Sequence, residues 1–264
     1  LYNNTTGHDN VAMGYYALRA ATSGSALTAV GSYALSSATV DYLTGVGFGA
    51  LQNNTTGASN TGVGYTVLRQ NTIGSQNTGM GHGALGLNTV GNQNSAFGYA
   101  ALYTNVSGTR NTALGYQAMY MATYPDENVA IGYNAAYNTT TGDYNTAVGT
   151  AAMYTNTTGT NNTAIGYQAL YTADGTQYNV AVGYKASYSN TTGDQNTAIG
   201  SGALQTNTTG SGNIAVGYHA LYSLTTGNYN TAIGAGALNT TTTGSLNVAI
   251  GYTALYTPDG TQYN

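Results

Sequence analysis

The stretch Asn162–Thr163–Ala164–Ile165–Gly166–Tyr167–Gln168–Ala169–Leu170–Tyr171 is one statement of a phrase that recurs along the whole chain. Its glycine returns at Gly14, Gly31, Gly47, Gly64, Gly81, Gly98, Gly115, Gly132, Gly149, Gly166, Gly183, Gly200, Gly217, Gly234 and Gly251. The interval is 17 residues, except for one of 16 between Gly31 and Gly47. A fixed period of this kind sets the architecture before any local reading does. The working repeat is N-[TV]-A-[VI]-G-Y-x-A-L-Y-x-N-T-T-G-x-x, with positions counted from the glycine as zero.

Working outward from that glycine, position −1 is apolar in every copy and −3 is Val, Thr, Ser or Ile. Positions two apart share a face only in a strand. The −1 column, including Leu114, Ile131, Val148, Ile165, Val182, Ile199, Val216, Ile233 and Ile250, is expected to form the core, so Ile165→Asp is expected to open its coil. Position −2 is always Ala or Gly, which means that something packs closely over it, a neighbouring sheet or a neighbouring chain. Position +3 is almost always Ala, and +4 is Leu or Met in most copies, with Ala136 and Ser187 as weak spots. These residues are read as a second short strand. Frequent Gly and β-branched residues oppose a helix, and 17 residues are too few for a helical-hairpin repeat of about 34. The expected fold is all-β: a β-solenoid (β-roll) of about 15 coils, one per repeat, with two short strands per coil.

The turn Asn–Thr–Thr–Gly places a glycine at +10, where positive φ would suit it. Asp174–Gly175, Asp259–Gly260 and Pro125–Asp126 replace it in three copies and are expected at the surface. Position −4 is Asn in nearly every copy, among them Asn111, Asn128, Asn145, Asn162, Asn179, Asn196, Asn213, Asn230, Asn247 and Asn264. Coils stacked about 4.8 Å apart would place these amides over one another as a hydrogen-bonded Asn ladder. Leu27 and Leu43 interrupt that column beside the 16-residue interval, so residues 27–47 are read as one irregular coil. Tyrosines fill +1 and +5. The +5 set is Tyr103, Tyr120, Tyr137, Tyr154, Tyr171, Tyr188, Tyr222 and Tyr256, and it is expected to point outward and to shield the core or contact other chains.

The chain has 264 residues, 5% charged against roughly 25% in ordinary domains. It reads as a single continuous array, 1–264, and its mid-phrase ends suggest a piece of a longer repetitive protein. There is no basic run for nucleic acid and no cysteine for disulfides or thiolate metal sites. No apolar run approaches the ~20 residues of a membrane helix. His8, His82 and His219 lie too far apart along the repeats to share a metal. Asp126–Glu127 is the one adjacent acidic pair, and no catalytic constellation or cofactor motif is legible. Sequons such as Asn156–Thr157–Thr158 and Asn207–Thr208–Thr209 match glycosylation acceptors, although turns favour the same residues.

The phrase carried by Asn162, Ala164, Ile165 and Gly166 resembles the left-handed β-roll repeat of trimeric autotransporter adhesin heads. It also resembles the repetitive shafts of phage tail fibres and large bacterial surface proteins. The resemblance covers the whole chain and departs from the adhesin heads in its longer period. It implies an extracellular, cell-surface or virion fibre that is structural or adhesive and not an enzyme. Its partners would be further copies of itself, as a homotrimer or an end-to-end filament, with glycans or a cell surface as further ligands and no cofactor. An ice-binding solenoid is the alternative, from Thr pairs at +6 and +8 such as Thr155/Thr157, Thr206/Thr208 and Thr240/Thr242.

Overall fold

A computed structural model describes residues 2–256. Asp259–Gly260 and Asn264 lie outside the described residues. The chain divides into two compact units, residues 1–128 and 129–264. The first contains β1 (Val11–Met13), β2 (Thr28–Val30), β3 (Thr44–Val46), β4 (Thr61–Val63), β5 (Thr78–Met80), β6 (Ser95–Phe97) and β7 (Thr112–Leu114). The second contains β8 (Val129–Ile131), β9 (Thr146–Val148), β10 (Thr163–Ile165), β11 (Val180–Val182), β12 (Thr197–Ile199), β13 (Ile214–Val216), β14 (Thr231–Ile233) and β15 (Val248–Ile250). Within each unit consecutive strands pair in parallel and in register, −3 on −3, −2 on −2, −1 on −1. Each unit is a parallel β-solenoid with one strand per coil.

The strand occupies −3 to −1 as the alternation requires, but the opposite parity faces the interior. Ala164 is fully buried, whereas Ile165 is 41% exposed, Leu114 47% and Ile250 68%. Ile199 and Ile233 are equally exposed, and Ile131, Val148, Val182 and Val216 are half-buried. The expected core column is therefore the outer face of the sheet. The reason is the width of the coil. A Cβ on Gly45 at −2 would stand 3.0 Å from Leu35 Cγ, and one on Gly79 would stand 2.7 Å from Val67 Cγ2. The −2 column packs against the +3 and +4 residues of the opposite wall, and only a methyl or a hydrogen fits there. The column is indeed closely covered, but by the solenoid itself. Val67, the one non-alanine at +3, meets glycines at Gly62 and Gly79 where most coils have Ala.

The interior is thus built from −2 Ala, +3 Ala and +4 Leu or Met, with Leu68, Leu102, Met153 and Leu170 wholly buried. The +3/+4 segment is a pair of tight turns and not a second strand. Its backbone is left-handed at +2 and +4, with φ of 51° at Gln168 and 50° at Leu170. A side chain in that conformation costs roughly 1–2 kcal/mol. Burying Leu170 offsets that cost, at about 1.5–3 kcal/mol. Bonding between coils adds to it: Leu170 N–H donates to Ala186 O at 2.9 Å and Gln168 N–H to Thr150 O at 3.0 Å.

Two glycine columns have different causes. At position zero Gly166 has φ +134°, and a Cβ would approach Gly183 O to 2.4 Å. At +10 the φ is not positive, contrary to the turn argument. There a Cβ on Gly210 would meet Gly227 O at 2.3 Å and Asn207 Oδ1 at 2.5 Å. The +10 position is buried, Pro125 included, while Asp174–Gly175 is at the surface as expected. The short interval between Gly31 and Gly47 leaves the sheet undisturbed, for Thr28 still pairs with Thr44 and Val30 with Val46. The missing residue is absorbed in the turn, where Val40 lies against Gly24.

Candidate functional site

The ladder at −4 forms through both units. Asn162 N–H donates to Asn145 Oδ1 at 3.0 Å, and its Nδ2 donates to the same oxygen at 3.2 Å and to Thr176 O at 2.7 Å. Asn179, Asn196, Asn213, Asn230 and Asn247 each donate their backbone N–H to the amide oxygen of the Asn one coil earlier. Asn111 and Asn128 do the same in the first unit. The side-chain oxygen therefore serves a backbone donor as well as an amide, which satisfies a buried strand end that would otherwise be costly.

A second ladder at +7 went unseen in the sequence, where Asn–Thr–Thr–Gly reads as surface turn. Asn54, Asn71, Asn88 and Asn105 are fully buried. Each successive Nδ2 donates to the preceding Oδ1 at 2.6 Å. Each also donates to the carbonyl of its own +10 glycine, as Asn54 does to Gly57 O at 2.8 Å. In the second unit Asn207 joins Asn190 at 3.2 Å. The two ladders touch where Asn60 Nδ2 donates to Asn54 Oδ1 at 3.2 Å. The sequons at Asn156 and Asn207 are members of this buried column, so a glycan on either is incompatible with the folded coil.

The tyrosines stack as columns with their rings nearly parallel. At +5, Tyr103–Tyr120, Tyr137–Tyr154, Tyr154–Tyr171 and Tyr171–Tyr188 have centroids 5.1–5.4 Å apart and planes within 5–14°. These rings are half-buried, as is Tyr222, while Tyr256 is exposed. At +1, Phe48, Tyr65, His82, Tyr99 and Tyr116 form one continuous stack. His82 is thus an aromatic substitute in a column, and His219 lies against Tyr218 at 3.9 Å. Desolvation, then the neighbouring Tyr188, Tyr154 and Tyr167, push the Tyr171 phenol above its ordinary value. The hydrogen-bonded contact with Tyr16 does so at Tyr15.

The few charges serve the stacking. Asp41, Asp126 and Asp194 each accept a backbone N–H from the preceding coil, at Ser25, Thr109 and Gln177. Glu127 pairs with Arg110 at 2.7 Å. Among the described residues no three His, Cys, Asp or Glu side chains converge on one point. No described helix is long and apolar enough to cross a membrane.

Exposed apolar surface remains on the +1 tyrosines such as Tyr65, Tyr133 and Tyr184, and on the outer strand face. The strand face carries Thr, Ser or a β-branched apolar residue at −3 and an apolar residue at −1 on every coil. Val11, Ile214 and Val248 at −3 join Leu114, Ile165, Ile199 and Ile233 at −1 as exposed apolar side chains. No protein-family model matches the chain, and a search of curated proteins finds none similar to it.

Proposed function

We propose that this chain is a segment of an extracellular structural or adhesive fibre whose solenoid coils associate with further copies through the strand face. The observation that carries the reading is the stripe of outward Ile, Val, Leu, Met and Phe at −1, one per coil, on the in-register strands of each unit. An apolar row of this length on one face is the mark of an interaction surface. A second copy is its best occupant, because the identical stripe offers the same spacing, coil for coil. The resemblance to adhesin heads and tail-fibre shafts supports three copies per fibre and a place on a cell surface or virion. The buried polar positions serve the fold and the acids cap neighbouring coils, which supports a non-enzymatic role. The tyrosine columns show edges and hydroxyls outward while their faces cover one another. A sugar needs a ring face, so glycan recognition by these columns is the weaker adhesive route.

Ice binding is the second reading, and its residues move. The hydroxyls at +6 and +8 are spent along the axis: Thr155 donates to Tyr171 O, Thr206 to Tyr222 O and Thr208 to Thr225 O. The regular threonine row is instead at −3, with Thr28, Thr44, Thr61 and Thr78 on successive strands. Light scattering on the purified chain separates the two readings. Multimers that dissociate on Ile165→Asp/Ile199→Asp/Ile233→Asp, with no thermal hysteresis, support the fibre. A monomer at every concentration that shows thermal hysteresis supports ice binding and overturns the fibre.

A further inference from the structure

The +5 column in the second unit holds four tyrosines without a gap: Tyr137, Tyr154, Tyr171 and Tyr188. Their centroids are 5.2, 5.3 and 5.1 Å apart. The spacing is built in. Each ring is preceded by a buried +4 residue (Ala136, Met153, Leu170 and Ser187) that anchors it against the core. The carbonyls of Tyr171 and Tyr188 accept N–H bonds from Thr155 and Thr172 of the preceding coil, at 3.0 and 3.1 Å. Half-burial leaves part of each side chain open to solvent. The chain has 26 tyrosines and no cysteine, so its one side-chain route to an oxidative covalent bond is the phenol.

We propose that this column is a modification site, at which a haem peroxidase with hydrogen peroxide joins tyrosines of adjacent coils as dityrosine. The enzyme removes one electron and one proton from each of two neighbouring phenols. The resulting phenoxyl radicals carry spin on their ortho carbons, and a carbon–carbon bond forms between the two. The ortho hydrogens then return to the oxygens, so that two phenols and one peroxide give one biphenol and two waters. Every such bond closes a 17-residue loop and ties one coil to the next, the role a disulfide would otherwise fill. The half-exposed rings tilt toward each other to make the bond, while the ladders hold the coils at one strand spacing.

The test oxidises the folded chain with peroxidase and peroxide and maps cross-linked peptides by mass spectrometry. Cross-links in this column are expected between residues 17 apart. Two variants carry the same number of tyrosines and keep the stack. Tyr137→Phe/Tyr154→Phe leaves Tyr171 beside Tyr188 and should retain that one cross-link. Tyr154→Phe/Tyr188→Phe leaves no adjacent pair among these four and should lose every cross-link between them. Absence of 17-apart cross-links among Tyr137, Tyr154, Tyr171 and Tyr188 in the wild-type chain would overturn the proposal. So would equal yields of cross-links among these four from the two variants, or an undiminished yield among them after unfolding in guanidinium.

Discussion

Two stretches of the first unit solve the same problem in opposite ways. In residues 54–111 the buried +7 and −4 positions are asparagines, bonded along each column and, at Asn54 and Asn60, across the gap between columns. In residues 21–43 the same two positions are Ala21 with Leu27 and Ala38 with Leu43, all wholly buried. The columns change together. Where −4 is leucine, +7 shrinks to alanine, and the bulk of one side chain occupies the room of two amides. The junction is tidy as well, since Leu27 N–H donates to Asn10 Oδ1 at 2.9 Å. A buried polar network is stable when complete and costly when broken; these two stretches have it whole or not at all, whereas Ala122 beside Asn128, Ala173 beside Asn179 and Leu224 beside Asn230 drop the +7 amide alone.

Breaking one member of the pair tests that rule most severely. Asn94→Leu removes the acceptor of the Asn111 N–H and the side-chain donor to Gly108 O. It also sets a leucine against Asn88, and should cost about 3 kcal/mol in urea unfolding. Adding Asn88→Ala copies the 21/27 arrangement and should recover about 1 kcal/mol or more; strict additivity would mean that the columns are independent. A smaller effect is expected at Ser187, a buried hydroxyl without a partner in the leucine column. Ser187→Ala should raise stability by about 0.5–1 kcal/mol, and a loss would reveal a hidden partner. Smaller again is the alkaline response of the tyrosine column. The Tyr171 phenol is raised above 10.0, so stability is at its full value below pH 10.0 and falls as pH climbs through the folded-state value. Tyr171→Phe should flatten that fall above pH 10.0, measured as the urea midpoint. Least of all should come from Ala122→Asn. It gives the unpaired Asn105 Oδ1 a donor but moves the unpaired oxygen one coil on. The change should stay within about 0.5 kcal/mol, and a larger gain would show a bond that the ladder geometry does not supply.

The same comparison explains what could be read in the sequence. The period, the strand at −3 to −1 and the −4 ladder were legible, because each follows from repetition and from the chemistry of one residue type. The 27–47 stretch looked irregular because leucines and a missing residue coincide there. The partner changes, Ala21 and Ala38, are informative only once +7 and −4 are known to face each other across the interior. The parity of the strand was misread for a related reason. Ile165 is more apolar than Ala164, but hydrophobicity ranks side chains without measuring the space for them, and the distance to Leu170 is a property of the closed coil. That closure rests on left-handed residues such as Gln168 and Leu170, which have no compositional signature. The second Asn ladder was hidden in a turn motif whose ordinary meaning is a solvated loop.

The inside–outside assignment is the claim on which the rest depends, and one paired measurement reaches it. Urea unfolding of Ala164→Val and of Ile165→Asp would be compared at a concentration where both are single chains. Ala164→Val should lose about 1–3 kcal/mol by overpacking against the opposite wall, while Ile165→Asp should stay within about 0.5 kcal/mol of the parent. The reverse order, with valine tolerated at 164 and aspartate at 165 unfolding the coil, would contradict the account.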